Sequence, residues 1–483
     1  MHSFQRLPST FAAGYRHVTT GALTNVGSNG YYWSSSSNYA GSNNAGNLNF
    51  GSGNVNPLNN ANRANGRSVR CVQHLRSCYF TLKTDFMNQK LLTDLFRAYY
   101  DARENKRNTL SQLRFEMNLE ENLMDLYHEI DERRYRVGRS ICFMTNVPVK
   151  REIFAADFRD RVVHHLLCNY VGPLLERTFI TDSYSCRKGM GTHFGIGRLE
   201  HHIRSCSNNY QWKCYLLKLD IQGYFMNINR QKLYDIITQK LDRFANRKAY
   251  DDKTWAQTID YDLVRYLIRE IVFNDPTENC EVRGTQRQWV GLPPSKSLFH
   301  TPDGCGLPIG NLTSQLFSNV YLSKLDDFVK RTLRVKHYGR YVDDFFIVGT
   351  DRARLMQLVP VIRNFLKDEL GLMLHPDKIY LQEVTKGVNF LGANIKPYRR
   401  YLVNKTKRRI NRQMHNAAYR PQRLMVATIN SYLGYMRHLN CQNYIRRLIE
   451  RNEWLLEQGR FTPYYRKFVP FKKPSDPSSD PML

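Results

Sequence analysis

Hydrophobic residues recur with the period of an α-helix between residues 92 and 134. The stretch 92–106 has the spacing of an amphipathic helix, and the stretch 114–134 continues with Leu119, Leu123, Leu126 and Ile130 three or four positions apart. Two short stretches, 214–219 and 345–348, are instead rich in aromatic and aliphatic residues, as β-strands are. The pattern therefore predicts a protein that combines helices with strands.

Carboxylates adjoin both predicted strands. Asp220 ends the first strand and precedes a turn that contains Gly223, and Asp343 and Asp344 lie just before the second strand, where they fit the tip of a β-hairpin. Each feature has an ordinary alternative, which is a solvated turn for the pair and a helix-capping residue for Asp220. If neighbouring strands bring the three carboxylates together, they form a site for two Mg²⁺ ions and phosphoryl transfer.

The charge of the chain indicates a polyanionic partner. The 483 residues carry a net charge of +28, and the sequence pI is near 9.7. An acidic membrane surface would also suit this charge, but no run of eighteen apolar residues and no signal peptide is found, so we expect no membrane partner and a cytoplasmic location. The ten cysteines lack metal-ligand spacing and are interpreted as reduced thiols.

The two ends of the chain differ in composition from the rest. Residues 1–84 contain no Asp or Glu and are dominated by Asn, Ser and Gly, which predicts a disordered leader. The aromatic cluster 31–33 and the strand-like stretch 67–72 nevertheless indicate descent from something folded. The Pro- and Ser-rich tail 474–483 is also predicted to be disordered.

A basic region precedes the tail. Residues 396–473 contain nineteen Lys or Arg against three Glu, with tyrosines interleaved. This excess predicts helices that neutralise the phosphates of an RNA/DNA duplex, with binding that weakens steeply in salt. An ordinary basic surface kept for solubility is the alternative.

The motifs together resemble those of reverse transcriptases. Asp220 followed at the fifth position by Phe225, and later by Tyr341-Val-Asp-Asp344, is similar to the palm signature of that family. Four further segments occur in the family's order, namely 150–153, 307–315, 375–378 and 388–392, so the resemblance covers residues 87 to about 470. It implies an α+β right-hand polymerase with fingers at 85–205, a palm at 206–392 that includes a fingers-side segment at about 232–300, and a helical thumb at 393–473.

The resemblance also implies roles for single residues. Two Mg²⁺ ions, with Mn²⁺ as a substitute, are expected on the catalytic carboxylates and one backbone carbonyl: Asp220, Asp343, Asp344 and Ile221. Contacts to the incoming dNTP are expected from Lys150, Arg151, Phe225, Ile309, Gly310 and Lys378. Template or primer contacts are expected from Arg187, Lys188, Asn311, Gln315, Phe390, Leu391 and Gly392. Phe225 could instead be a core aromatic residue, and Lys378 a solvated turn residue.

Two departures from the common family pattern point to a subgroup. Most reverse transcriptases have Gln in place of Ile309 and Pro in place of Gln315, whereas this version is similar to reverse transcriptases of diversity-generating retroelements. That likeness implies a prokaryotic or phage-encoded enzyme that copies a template-repeat RNA into cDNA, misincorporates opposite adenine, and works with a small basic accessory protein. An aliphatic Ile309 removes a polar check on the new base pair, which weakens discrimination.

The leader gains a meaning from the same resemblance. Residues 30–34 and 62–71 resemble the C-terminal end of the C-type-lectin-like domains that such retroelements diversify, and asparagine is encoded by adenine-rich codons. We therefore expect residues 1 to about 76 to be translated template repeat, with Met87 as the true start; a tethered binding module is the competing interpretation.

Two other functions stay open from the sequence. One is a reverse transcriptase of another prokaryotic type, such as a group II intron, retron or phage-defence enzyme. The other is a lectin-like binding protein with an inert polymerase-like part. Neither RNase H nor endonuclease activity is expected.

Overall fold

A computed structural model describes residues 88–104, 109–146, 149–247 and 254–471, together with short stretches between residues 15 and 67. The chain divides into two compact units, Met1–Met87 and Asn88–Leu483. The tail 474–483, the proposed start Met87 and most of the strand-like stretch 67–72 lie outside the described residues. Among the described residues, no helix is long and apolar enough to cross a membrane.

The described parts of the first unit are short antiparallel strands. They are β1 (Tyr15–Arg16), β2 (Leu23–Thr24), β3 (Gly30–Trp33), β4 (Asn44–Phe50), β5 (Val55–Asn62) and β6 (Gly66–Arg67). Two sheets result, in the orders β2-β1-β6 and β3-β4-β5. Most of residues 1–84 lies outside the described residues, so the disorder that the composition predicts for this segment stays a prediction.

The second unit begins with helices and a small sheet in the segment predicted as fingers. Its elements are α1 (Gln89–Arg103), α2 (Leu110–Met117), α3 (Leu119–Asp131), β7 (Ser140–Thr145), β8 (Arg151–Ala155), α4 (Phe158–Glu176) and α5 (Thr192–Cys206). The predicted helical stretch 114–134 is divided at Asn118, whose φ of −127° and ψ of 55° are not helical. Asparagine favours such boundaries because its side chain competes for backbone hydrogen bonds.

The predicted palm contributes a four-stranded antiparallel sheet and five helices. Its elements are β9 (Tyr215–Asp220), α6 (Arg230–Ala245), α7 (Trp255–Thr258), α8 (Tyr261–Phe273), β10 (Cys280–Arg283), α9 (Leu312–Asp327), β11 (Tyr338–Tyr341), β12 (Asp344–Gly349), α10 (Arg352–Leu370), β13 (Tyr380–Glu383) and β14 (Val388–Phe390). The sheet order is β11-β12-β9-β13. Strand β10 leaves this sheet and pairs in parallel with β7, which places the segment around residue 280 beside the fingers strands.

The remaining elements form the predicted thumb. They are β15 (Ala393–Lys396), β16 (Arg399–Leu402), α11 (Asn404–Ala417), α12 (Gln422–Met436), α13 (Gln442–Glu450), α14 (Trp454–Gln458), β17 (Gly459–Phe461) and β18 (Phe468–Pro470). Ile410, Ile429, Leu433 and Leu448 belong to one buried cluster that joins these helices.

One face of the palm sheet packs against α5 and β14. Leu216 and Phe346, from β9 and β12, pack in one cluster with Leu199 of α5 and with Phe390 of β14. Residues two apart on a strand share a face, so this alternation fixes which way the charged residues at the strand ends project. Helices and an antiparallel sheet together confirm the predicted α+β class.

Candidate active site

Asp220 and Asp344 lie opposite each other at the edge of the palm sheet. Strands β9 and β12 pair so that Asp344 faces Asp220, Phe345 faces Leu219 and Phe346 faces Lys218. Side chains directly opposite in an antiparallel pair project from the same face, about 5 Å apart at Cβ. The predicted meeting of the Asp220 carboxylate with the hairpin carboxylates is therefore present.

Asp343 occupies the tip of the hairpin between β11 and β12. Tyr341 pairs with Asp344, so Val342 and Asp343 form a two-residue turn. Val342 has a φ of +57°, a value that two-residue hairpin turns require at their first position and that glycine normally supplies. A β-branched residue in this conformation is strained by about 1–3 kcal/mol, so surrounding contacts must hold it.

A fully buried arginine supplies those contacts. The Arg340 side chain is inaccessible to solvent and donates two hydrogen bonds to Asp326, Nε to Oδ1 at 2.8 Å and Nη2 to Oδ2 at 2.7 Å. Its Nη1 donates to the Val342 carbonyl at 3.0 Å, and its Nη2 donates to Ser183 Oγ at 3.0 Å. The turn is thereby tied to α9 beneath the sheet.

The N–H of the same turn is also bound. Val342 N donates to Ser185 Oγ at 3.1 Å, and Asn319 Nδ2 of α9 donates to the Ser185 carbonyl at 2.9 Å. The hairpin tip is thus fixed from both its N–H and its carbonyl side.

Two lysines neutralise the carboxylates across the sheet. Lys378 Nζ lies 2.5 Å from Asp220 Oδ2, and Lys218 Nζ lies 2.8 Å from Asp344 Oδ2. Lys378 ends the short 3₁₀ turn Pro376–Lys378, whereas Lys218 stands two residues before Asp220 on the same face of β9. Lys378 is therefore at the carboxylates in this structure, although its side chain is half exposed.

The carboxyl pKa values reflect the crowding of charge. Loss of water around Asp343, reinforced by the negative charges of Asp220 and Asp344, raises its pKa to about 6, against an opposing effect of Arg151. Desolvation likewise raises the pKa of Asp344, with Lys218 and Lys378 opposing the shift. Both carboxylates would be stabilised in their charged form by additional positive charge.

The residues fit a divalent metal. Asp344 Oδ1 is buried without a hydrogen-bond partner among the described residues, and such an oxygen is satisfied when it coordinates a cation. His375 N donates to the Asp220 carbonyl and Gln222 N donates to the Met373 carbonyl, both at 2.8 Å. These two bonds flank the antiparallel pair Ile221–Leu374, so Ile221 and Leu374 are not hydrogen-bonded to each other. The Ile221 carbonyl therefore points away from Leu374 and is available as a metal ligand.

Among the described residues, no group of three or more His, Cys, Asp or Glu side chains is arranged to hold a metal ion. An open arrangement is what Mg²⁺ uses when substrate phosphates complete its coordination. A cavity of about 260 Å³ borders Asp220, Asp344 and Lys378. A larger cavity of about 780 Å³ is lined by α6, α9 and α10 residues, but it does not include these carboxylates.

The segment 309–311 is bound to the fingers strand β8. Phe154 N donates to the Ile309 carbonyl at 2.9 Å, and Ala156 N donates to Asn311 Oδ1 at 3.1 Å. Gly310 has a φ of +136°, and a Cβ there would lie 2.7 Å from the Phe154 carbonyl oxygen. Only glycine allows this approach, so Gly310 and Asn311 join fingers to palm.

Phe225 and Ile309 pack against the same buried cluster. Both are partly buried against one small cluster that includes Phe154, Met226 and Leu298. Leu307 N also donates to the Phe225 carbonyl at 2.8 Å. The structure thus brings together two residues that the sequence assigns to the dNTP site from positions 84 apart.

The two basic residues of the fingers strand differ in direction. Arg151 is exposed, and its charge acts on Asp343. Lys150 Nζ instead donates to the Val290 carbonyl at 2.6 Å. Lys150 is therefore bound to the segment around residue 290, whereas the Arg151 side chain is exposed and its charge favours ionised Asp343.

The residues predicted to contact template or primer are spread over three places. Arg187 Nη1 donates to the Ile180 and Ser183 carbonyls at 2.8 and 2.9 Å, so its guanidinium holds its own loop, while neighbouring Lys188 is exposed. Gln315 is exposed on the first turn of α9.

The segment 390–392 joins palm and thumb. Phe390 is buried and packs edge-on against Phe346, with ring centroids 5.3 Å apart. Tyr435 of α12 donates from its hydroxyl to the Leu391 carbonyl at 2.9 Å. Gly392 has a φ of +85°, and a Cβ there would lie 2.6 Å from that hydroxyl oxygen.

The family model described as reverse transcriptase (RNA-dependent DNA polymerase) matches residues 150–395, which is just over half of the 483 residues. The chain belongs to the reverse transcriptase family. The match contains all three carboxylates and both lysines paired with them. Domains of this family generally use divalent metal ions, typically Mg²⁺.

Other comparisons found only distant similarities to this reverse transcriptase. Protein YkfC of Escherichia coli (strain K12) is 21% identical over 270 residues, which span 49% of this chain and 61% of YkfC. The apo telomerase of Candida tropicalis truncated from its C-terminal domain is 11% identical, with a TM-score of 0.39 and coverage of 55% of each chain. Telomerase of Candida albicans in complex with a fragment of telomeric RNA is 11% identical, with a TM-score of 0.38 and coverage of 68% of this chain and 61% of that one.

Sequence reasoning missed two charged residues of the reverse transcriptase site. Lys218 and Arg340 both lie in stretches that look like ordinary strands, and their role depends on partners that are distant in sequence, Asp344 and Asp326. One signal was available for Arg340, since a charged residue inside an otherwise apolar strand must be paired when it is buried.

Proposed function

We propose that this reverse transcriptase copies a template-repeat RNA into cDNA and misincorporates opposite template adenine, in the service of mutagenic retrohoming into a variable gene. The observation that carries the proposal is the place of Ile309, which packs with Phe225 against Phe154. An aliphatic side chain stands there at the nucleotide site, where most of the family has an amide.

Asp220, Asp343, Asp344 and the Ile221 carbonyl would hold two Mg²⁺ ions, with Mn²⁺ as a substitute. When bound, such ions activate the primer 3′-hydroxyl and neutralise charge on the triphosphate. The unpartnered Asp344 Oδ1 and the raised pKa of Asp343 support this assignment.

The side chains around the carboxylates have separate proposed tasks. Arg151 binds the triphosphate, since guanidinium groups recognise phosphate in a bidentate manner. Phe225 lies under the sugar and excludes a 2′-hydroxyl, which favours dNTPs. Lys378, whose ammonium is at Asp220, is placed to protonate departing pyrophosphate. Lys150 and Gly310 complete the dNTP site.

Template and primer are assigned to the remaining predicted residues and to the thumb. The proposed contacts are Arg187, Lys188, Asn311, Gln315, Phe390, Leu391 and Gly392, with the basic thumb neutralising the RNA/DNA duplex. A small basic accessory protein is a further proposed partner. We also propose that the enzyme has a prokaryotic or phage origin.

Ile309→Gln tests the subtype. The variant restores an amide at the nucleotide site, so misincorporation opposite template adenine should fall by about tenfold, while errors opposite the other bases change little. Sequencing of cDNA made on a defined RNA template measures both. Ile309→Leu is the matched control, because it keeps an apolar side chain of equal size.

An unchanged error spectrum in Ile309→Gln would refute the adenine-specific mechanism and return the enzyme to another prokaryotic type of reverse transcriptase. A wild-type protein inactive in primer extension would instead refute the polymerase activity and favour a lectin-like binding protein. Neighbouring DNA offers an independent test, since the subtype requires a near-repeat of codons 1 to about 76 that differs almost entirely at adenines.

A further inference from the structure

We propose that Glu152 is a positioning residue that sets nucleotide selection, by anchoring the segment 289–298 behind the dNTP site. The inference rests on the proposed polymerase activity but not on the adenine-specific subtype. Glu152 is the second residue of β8 and directly follows Arg151. Its side chain is 1% exposed, so it contacts neither substrate nor solvent.

Both carboxylate oxygens of Glu152 accept hydrogen bonds from the segment 289–298. Trp289 Nε1 donates to Oε1 at 2.8 Å, and Leu298 N donates to Oε2 at 2.7 Å. Ser297 Oγ lies 3.1 Å from Oε1 and 3.3 Å from Oε2. All three donors are uncharged and belong to this one segment, so among the described residues the buried Glu152 carboxylate is hydrogen-bonded by the segment 289–298.

The anchored segment reaches the nucleotide site from behind. Leu298 is buried and Trp289 partly buried in the same cluster as Phe225 and Ile309. A Cβ on Gly223, in the turn between Asp220 and Phe225, would lie 2.8 Å from the Ser295 carbonyl. The segment therefore packs against the catalytic turn and against both residues proposed to select the nucleotide.

Much of this segment is exposed. Val290 is 74% exposed, and residues 293–296 are all exposed. Apart from the bond from Lys150 to the Val290 carbonyl, the buried anchors are the residues that meet Glu152. Loosening Glu152 would thus release the support of Phe225 and Ile309 more than the rest of the fold.

Strand alternation adds a second consequence. Glu152 and Phe154 are buried on one face of β8, while Arg151 lies on the other and acts on Asp343. The buried carboxylate thereby also fixes the direction in which Arg151 presents its guanidinium.

Glu152→Gln is the principal test. The amide must present an N–H to at least one donor, so one buried hydrogen bond is lost. We expect KM for dNTP to rise about tenfold, and the preference for dNTP over NTP to fall about tenfold, with kcat at saturating dNTP and the Kd for template–primer within about twofold of wild type. Single-nucleotide extension with dNTP and NTP measures these quantities.

A milder variant covers the case in which Glu152→Gln does not fold. Trp289→Phe removes only the indole donor and keeps an aromatic ring, and it should shift KM and sugar discrimination in the same direction. Glu281→Gln is the matched control, because Glu281 lies nearby on β10 but pairs with Arg283 at the surface.

The inference is overturned if a folded Glu152→Gln or Trp289→Phe protein keeps the wild-type KM for dNTP and the wild-type sugar discrimination. It is also overturned if Glu281→Gln shifts both as much as Glu152→Gln does. An inactive wild type would contradict the polymerase proposal instead, so the two failures are distinguishable.

Discussion

At the scale of single residues, the site brings three carboxylates into a space with limited water. Ionising a carboxylate there costs free energy. Asp343 shows this most directly, because its pKa of about 6 lies above the value near 3.9 expected for an unfolded chain. The folded protein therefore keeps the Asp343 proton to higher pH than the unfolded chain does. Ionisation of Asp343 destabilises the metal-free fold as pH rises from about 4 to about 6.

Asp343→Asn should accordingly abolish primer extension and stabilise the metal-free protein. At pH 7.5 the gain in unfolding free energy should be on the order of 1–3 kcal/mol, and it should shrink towards zero as pH falls to about 3, which is below both pKa values, so that Asp343 is mostly protonated in both states. Urea unfolding in a chelator, compared with wild type at each pH, measures the gain.

Asp351→Asn is a suitable control, since Asp351 is an exposed carboxylate that caps α10 and lies outside the site. It should lower stability rather than raise it, by about 1 kcal/mol at most, through weakened capping. A loss of stability in Asp343→Asn at pH 7.5 would contradict the crowding of charge described here.

Single functional residues can be predicted from the sequence where the chemistry requires a particular residue type. Asp220, Asp343 and Asp344 are recognisable because their residue types and order resemble the palm signature of the family, although each carboxylate alone also fits a turn or a helix cap. The role of Lys218 was not predicted, because its partner Asp344 is 126 positions away and only the register of β9 against β12 brings the two residues together.

At the scale of elements, the hairpin β11–β12 depends on α9. Arg340 couples them through Asp326 and through the Val342 carbonyl. Removing one partner of such a buried pair leaves an uncompensated charge, whereas replacing both can be nearly neutral. Fold stability and hairpin geometry can therefore be separated.

Arg340→Met should lower the unfolding free energy by about 3–5 kcal/mol, because Asp326 stays buried and charged. The double variant Arg340→Met with Asp326→Leu should regain most of that stability but not polymerase activity, since the Val342 carbonyl still lacks its donor. Chemical denaturation and primer extension on the same preparations test both statements. Recovery of full activity in the double variant would show that Arg340 serves stability alone.

Element prediction succeeded where the hydrophobic period was long and clear. Helices α1 and α3 follow the predicted stretches, whereas the break at Asn118 was missed because the apolar period continues through it. The pairing of β10 with β7 joins residues about 140 apart, and no local pattern carries that information.

At the scale of the whole molecule, the basic region predicted to be the thumb carries more than half of the net charge. Residues 396–473 account for +16 of the net +28, and Lys405, Arg408 and Arg412 are exposed along α11. Phosphate contacts release counterions, so each one steepens the dependence of affinity on salt.

Replacing Lys405, Arg408 and Arg412 by Gln should weaken template–primer binding and reduce the slope of log K against log salt by about 2–3. Fluorescence anisotropy across a salt series measures the slope. The same change at three exposed residues of α10, namely Arg354, Arg363 and Lys367, is the matched control and should leave the slope within about 1 of wild type. Equal slopes for both triple variants would mean that the thumb is not the duplex-binding surface.

The organisation of the whole chain was harder to predict from the sequence than its residues or elements. The composition of residues 1–84 predicts disorder, whereas the described parts of this segment include the sheet of β3, β4 and β5, so the state of the segment as a whole stays a prediction. The origin of that leader in a template repeat stays a prediction.

The turn at Val342 has a consequence for directed evolution. Its positive φ carries no steric penalty for glycine but strains valine. A screen for heat resistance alone should therefore recover Val342→Gly. The same substitution adds backbone freedom beside Asp343, and the recovered clones should synthesise DNA more slowly. Selection at this single codon would then raise thermal stability only by lowering the rate of DNA synthesis.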